Sequence, residues 1–209
     1  MSGTPMIQPI ADNQDKQRTY RVQLGKYNQA MRYGFYIQAI MIDYAMIEDR
    51  LRSLLYHMGF LSNRTARNVW KTTKPHLNEI VSEYKTAKEN TSLGITKMRG
   101  KSKLIRCVMM WTAYSEVGAK DDKFLTALRS RCEGMDVDAV LTALDDISKW
   151  CGYRNELVHA LMNKNLDSLD AELQEKAEQG LKLARFLDAQ GKILKTGNKI
   201  RRSVNLPMN

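Results

Sequence analysis

The chain has 209 residues, enough to bury a full hydrophobic core in one domain without disulfide or metal staples. It carries 33 basic against 23 acidic residues, a formal net charge of +10 that favours an anionic partner such as nucleic acid. No apolar run approaches the roughly 20 residues of a membrane helix, and no glycine-rich phosphate loop supports an NTPase. Cys107, Cys132 and Cys151 form no CxxC pair and cannot all be bridged, which points to free thiols in a cytoplasmic protein.

Proline stands only at positions 5, 9, 75 and 207, and no strand-like alternation bounded by turn residues appears, so the pattern predicts an all-α protein. Residues 1–14 are polar and read as a flexible N-terminus without a targeting signal. A helical segment over residues 15–27 follows, either continuous with the next helix or bent near Gly25. The first long helix is predicted over about 29–57, stopped by Gly59, with Ile37, Ile40, Met41, Tyr44, Ile47 and Leu51 on one stripe. Short helices are expected at 65–72 and 76–90, separated by Pro75. A basic loop near 93–100 opens a cluster of Lys97, Arg99, Lys101, Lys103 and Arg106, and an apolar helix runs over 103–114. Asp121 or Asp122 caps a helix reaching Arg131. Asp136 caps a long helix to about Met162. A last helix over about 166–188 leads into a basic stretch with Lys192, Lys195, Lys199, Arg201 and Arg202. Residues 15–190 therefore read as a single helical domain and 191–209 as a basic C-terminal tail.

The helix after Asp136 carries the chemistry. Its apolar stripe is Val137, Val140, Leu141, Leu144, Ile147, Cys151, Val158 and Met162. Past Cys151 the stripe meets Arg154 and Asn155, so a polar break falls on or beside the buried face, where such groups must find partners. Asn155 and His159 are four apart and share a face. Arg154 and His159 are five apart, so a joint site needs Arg154 to swing back or another helix or subunit to complete it. Arginine supplies fixed charge and bidentate donors for phosphate, and histidine moves protons near neutral pH. These are the parts for acid/base chemistry at a phosphodiester. In the purely structural alternative, Arg154 pairs with an acid of the first helix, Asn155 bridges a kink and His159 sits at the helix C-terminus near its dipole.

The stretch Tyr153-Arg154-Asn155-Glu156-Leu157-Val158-His159-Ala160 resembles the Arg-x4-6-His motif of the HEPN superfamily (higher eukaryotes and prokaryotes nucleotide-binding domains), where a polar residue commonly follows the arginine. Residues 33–51, running into Ile47-Glu48-Asp49-Arg50-Leu51, resemble the first long helix of those proteins. Residues 60–135 have no counterpart. The resemblance implies a HEPN-like up-and-down helical bundle with extra helices inserted between the first long helix and the motif helix. It implies a metal-independent endoribonuclease, toxin-like or phage-defence-like, that needs no cofactor. Its roles would be His159 as general base or acid, Arg154 stabilising the phosphate and Asn155 orienting the phosphate or His159, with a 2′,3′-cyclic phosphate product. It further implies a homodimer whose two motifs face each other, and an antitoxin or regulatory protein as a further partner. One departure is Leu161, at a position where related toxins often carry a tyrosine. Around the motif, Glu48 borders the first-helix stripe and is the acid expected to face Arg154 or His159. Lys97, Arg99, Lys101, Lys103, Lys199, Arg201 and Arg202 are the expected contacts to an RNA backbone. No metal site and no membrane contact are expected. The competing reading is a non-catalytic helical dimerisation and RNA- or protein-binding module.

Overall fold

The computed structural model describes residues 13–58, 97–114, 123–160 and 170–196. Among them lie six helices and no strand: α1 (Asn13–Arg32), α2 (Tyr36–His57), α3 (Met98–Tyr114), α4 (Lys123–Cys132), α5 (Val137–Ala160) and α6 (Asp170–Thr196). The all-α expectation holds. The helices expected at 65–72 and 76–90 and the basic residues Lys199, Arg201 and Arg202 lie outside the described residues.

The break between the first two helices falls at Gly34, not near Gly25. Gly34 has φ 75, the left-handed conformation that glycine adopts without a Cβ penalty. The Phe35 amide donates to the Ala30 carbonyl at 2.8 Å and the Gly34 amide to that of Met31 at 3.4 Å. This 6→1 and 5→2 pair closes α1 and lets the chain reverse into α2. At the start of α5 the sequence expectation is met: Asp136 Oδ1 accepts a hydrogen bond from the Ala139 amide at 3.0 Å.

The helix α2 is central. Ile40, Ile47, Leu51, Leu54 and Leu55 are fully buried, each worth roughly 1.5–3 kcal/mol of burial. Helix α6 runs alongside α2 in the same direction: Tyr36 meets Gln174, Asp43 meets Gly180 and Arg50 pairs with Asp188. Helix α1 runs opposite to α2, placing the Tyr20 hydroxyl on Asp49 at 2.9 Å. Helix α5 is antiparallel to α3, because Cys151 meets Met98 and Asp145 pairs with Arg106, and to α6, because Trp150 meets Lys176 while Gly134 faces Ile193; it therefore also runs opposite to α2, where Arg154 reaches Met41 and Tyr44. Arg131 of α4 donates to the His57 carbonyl at 3.1 Å. Cys107 and Cys132 are buried and Cys151 is half-buried.

Two helix faces differ from the sequence expectation. In α5, Val140, Leu144 and Ile147 are buried as expected, but Trp150 and Leu157 continue the face while Val158 is 38% exposed. The buried line steps 140, 143, 147, 150, 157, so it is centred to one side of Cys151. In α6 the helix continues to Thr196 instead of ending near residue 188. Leu187 and Leu194 are buried either side of Gly191, so the segment read as the start of a tail belongs to the bundle.

The junction of α2, α5 and α6 holds a charged residue. Asp43 is fully buried, and among the described residues neither carboxylate oxygen has a hydrogen-bond partner. Gly180 faces it: a Cβ there would come within 2.8 Å of Asp43 Oδ2 and 2.7 Å of Trp150 Cζ2. The indole of Trp150 donates to the Lys176 carbonyl at 2.7 Å, and the Tyr27 hydroxyl to that of Ala177 at 3.2 Å. Burial pushes the Asp43 carboxyl up to about 8, because removal from water disfavours the charged form.

Candidate functional site

Trp150 and Leu157 fix the last turns of α5 against the core, and Arg154 falls between them on the side facing α2. Its guanidinium lies over the Tyr44 ring, 4.4 Å from the centroid, a contact worth ~0.5–2 kcal/mol. One guanidinium nitrogen, Nη2, lies 3.5 Å from Met41 Sδ, and Nη1 donates to Asn155 Oδ1 at 3.1 Å. Among the described residues Nε has no hydrogen-bond partner. The first-helix acid expected opposite Arg154 is not there: among the described residues no carboxylate pairs with it. A half-buried cation is thus held, among the described residues, by aromatic, sulfur and amide contacts. Burial, with Glu48 adding to it, pushes the Tyr44 phenol upward.

Asn155 is exposed and lines a cleft of about 770 Å³ between α2, α3 and α5. The floor is apolar and sulfur-rich, with Tyr44, Met98, Cys107, Met110, Ile147 and Cys151. Lys97, Arg99, Lys103 and Arg106 form a basic rim. Two acids also line it, and each is engaged: Glu48 by Lys101 and Asp145 by Arg106. Three groups that stand apart in the sequence therefore meet here: the basic cluster, Glu48 and the motif residue Asn155.

Two sequence expectations are corrected at this cleft. Lys101, expected on an RNA backbone, is 1% exposed, and its Nζ donates to Glu48 Oε1 at 2.9 Å. It is a buried counter-ion, because α3 starts at Met98 and puts residue 101 on the same face as Leu104, Ile105 and Val108. Glu48, expected to orient Arg154 or His159, instead bridges α2 to α3 through Lys101. His159 is exposed on the last turn of α5. It does not line the cleft, and among the described residues it makes no hydrogen bond or ion pair. The motif is thus split: Asn155 lines the cleft, Arg154 sits behind it and is bonded to Asn155, and His159 lies one turn beyond.

The cleft holds one feature that the apolar periodicity does not mark. Gly152 lies on the wall, three residues before Asn155, and a Cβ there would meet nothing within 4 Å. A glycine inside a long helix costs about 1 kcal/mol against alanine, and that cost was the available signal. Cys151 Sγ approaches Met98 Sδ at 3.1 Å. Burial pushes its thiol up to about 11, so it is no nucleophile at neutral pH. Among the described residues, no group of three or more histidine, cysteine or acidic side chains is arranged to hold a metal ion, and no helix is long and apolar enough to cross a membrane. Comparison of the chain with protein-family models, with curated proteins and with solved structures returns no match.

Proposed function

We propose that this protein is a metal-independent endoribonuclease of the HEPN type, toxin-like or defence-like, acting in the cytoplasm as a homodimer under the control of an antitoxin or regulatory partner. The observation that carries this reading is Arg154. A half-buried guanidinium without a carboxylate partner among the described residues, bonded to Asn155 beside a basic-rimmed cleft, is prepared for an anionic ligand. In the proposed reaction the ribose 2′-oxygen attacks phosphorus and the 5′-oxygen leaves. His159 removes the 2′ proton or delivers one to the leaving oxygen, and Arg154 steadies the charge on the phosphate. The products are a 2′,3′-cyclic phosphate and a 5′-hydroxyl. Since His159 lies outside the cleft of its own chain, the reading assigns its action to a site shared with a second copy.

The test is cleavage of total RNA in EDTA by the wild type and by the His159→Ala and Arg154→Ala variants. Each variant is expected to lose at least about a hundredfold. His159→Ala should keep its RNA affinity, since a neutral side chain adds little to backbone electrostatics. Undiminished cleavage by His159→Ala would sink the reading. A second reading, a non-catalytic helical dimerisation and binding module, is favoured by the three intramolecular contacts of Arg154 with Tyr44, Met41 and Asn155. It expects no cleavage by any form and a lower melting temperature for Arg154→Ala.

A further inference from the structure

The cleft between α2, α3 and α5 combines properties that rarely suit one simple ligand. Its rim is cationic: Lys97 and Arg99 are exposed and have no ion pair among the described residues. Its floor is apolar, with Tyr44, Met98, Met110 and Cys151. Its walls carry small hydrogen-bonding groups, Ser102, Ser148 and Asn155. The volume of about 770 Å³ falls in the range of sites that enclose a small organic molecule. An inorganic anion would satisfy the rim and leave the floor in water. A hydrocarbon chain would cover the floor and leave the wall hydroxyls and the carboxamide unpaired, which is costly. A flat heteroaromatic ring with polar edges and an attached phosphate answers all three.

We propose that this cleft is a nucleotide subsite, with an unpaired base inserted against the apolar floor and its phosphate on the Lys97–Arg99 rim. The geometry also orients the edge contact. Asn155 Oδ1 already accepts from Arg154 at 3.1 Å, so the Asn155 amide nitrogen is left to donate to a carbonyl on the base edge. Gly152 leaves this wall bare, because among the described residues nothing stands within 4 Å of a Cβ placed there, so a larger side chain would project into open space beside the subsite. A base inside a duplex has its Watson–Crick edge paired and both faces stacked and cannot be inserted, so the subsite selects single strands or free nucleotides. The proposal rests on the RNA-directed reading above only for the source of the nucleotide.

The experiment uses the full chain carrying His159→Ala, titrated against three fluorescent probes: a short single-stranded RNA, the same RNA as a duplex, and linear polyphosphate as a charge-only control. The single strand is expected to bind at least about tenfold tighter than either of the others. Gly152→Leu should weaken single-strand binding by about tenfold and leave polyphosphate binding unchanged. Ser148→Trp, an exposed substitution on the same wall, provides the same test if Gly152→Leu does not fold. Competition with free AMP and UMP separates the sources: displacement assigns the subsite to the nucleotide itself, and a lack of displacement with Gly152-dependent strand binding assigns it to a strand. Equal affinity for polyphosphate and single strand, or wild-type affinity in both wall variants, overturns the proposal. A wild type that binds single strands through Gly152 but cuts no RNA sinks the endoribonuclease reading and leaves the subsite standing.

Discussion

Asp43 places a carboxyl where no donor among the described residues reaches it, and the consequence is a pH dependence of definite sign. Its carboxyl is held up to about 8 in the folded protein and titrates near 4 in an unfolded chain. Between those values the native state binds the extra proton, so stability falls as pH rises and levels off above about pH 8. The limiting slope is about 1.4 kcal/mol per pH unit. The expected outcome is a thermal midpoint that drops from pH 5 to pH 8.5 in the wild type and drops less in Asp43→Asn; parallel curves would refute it. In the sequence Asp43 is visible only as an interruption of an apolar run, because Gly180, which packs against it, is far away in the chain. Arg154 and Asn155 were legible, since they break an apolar stripe. The role of Lys101 was hidden by reading a loop where α3 begins. Once a helix starts at Met98, residues 101, 104, 105 and 108 fall on one face.

At the scale of elements, two glycines on adjoining helices make opposite demands. Gly180 lets α6 close onto Asp43 and Trp150, and a Cβ there would sit 2.7–2.8 Å from their atoms. Gly180→Ala is expected to lower stability by ~1–3 kcal/mol through overpacking, in spite of alanine's better helix propensity. Gly152→Ala has open space and should gain up to about 1 kcal/mol. Chemical denaturation of the pair measures both, and two changes of the same sign would contradict the packing described for the α2–α6 contact. Helix ends were legible where a side chain signals them, as Asp136 does for α5. They were not legible where glycine is ambiguous. Gly34 ends a helix by turning left-handed, whereas Gly191 is carried through α6 because Leu187 and Leu194 anchor both sides.

For the whole molecule, the antiparallel course of α2 and α5 brings His159 toward the bundle end where Tyr33 and Phe35 are exposed. A site shared between two copies requires a dimer. Light scattering at micromolar concentration is expected to give twice the mass of the chain, and a monomer there would remove the composite site. That the protein is a helical bundle could be read from its periodicity. The directions of its helices could not, because they depend on pairings such as Tyr36 with Gln174, 138 residues apart. That separation also sets a schedule for biosynthesis. At roughly 5–20 residues per second, α2 leaves the ribosome about 7–30 s before the helix that covers it. During that interval Asp43 and Leu54, which face Gly180 and Gly191, have no α6 to pack on, so the nascent chain carries α2 without its cover. A message broken between the two helices yields a polypeptide that cannot assemble this core, and the finished fold certifies that translation passed α6.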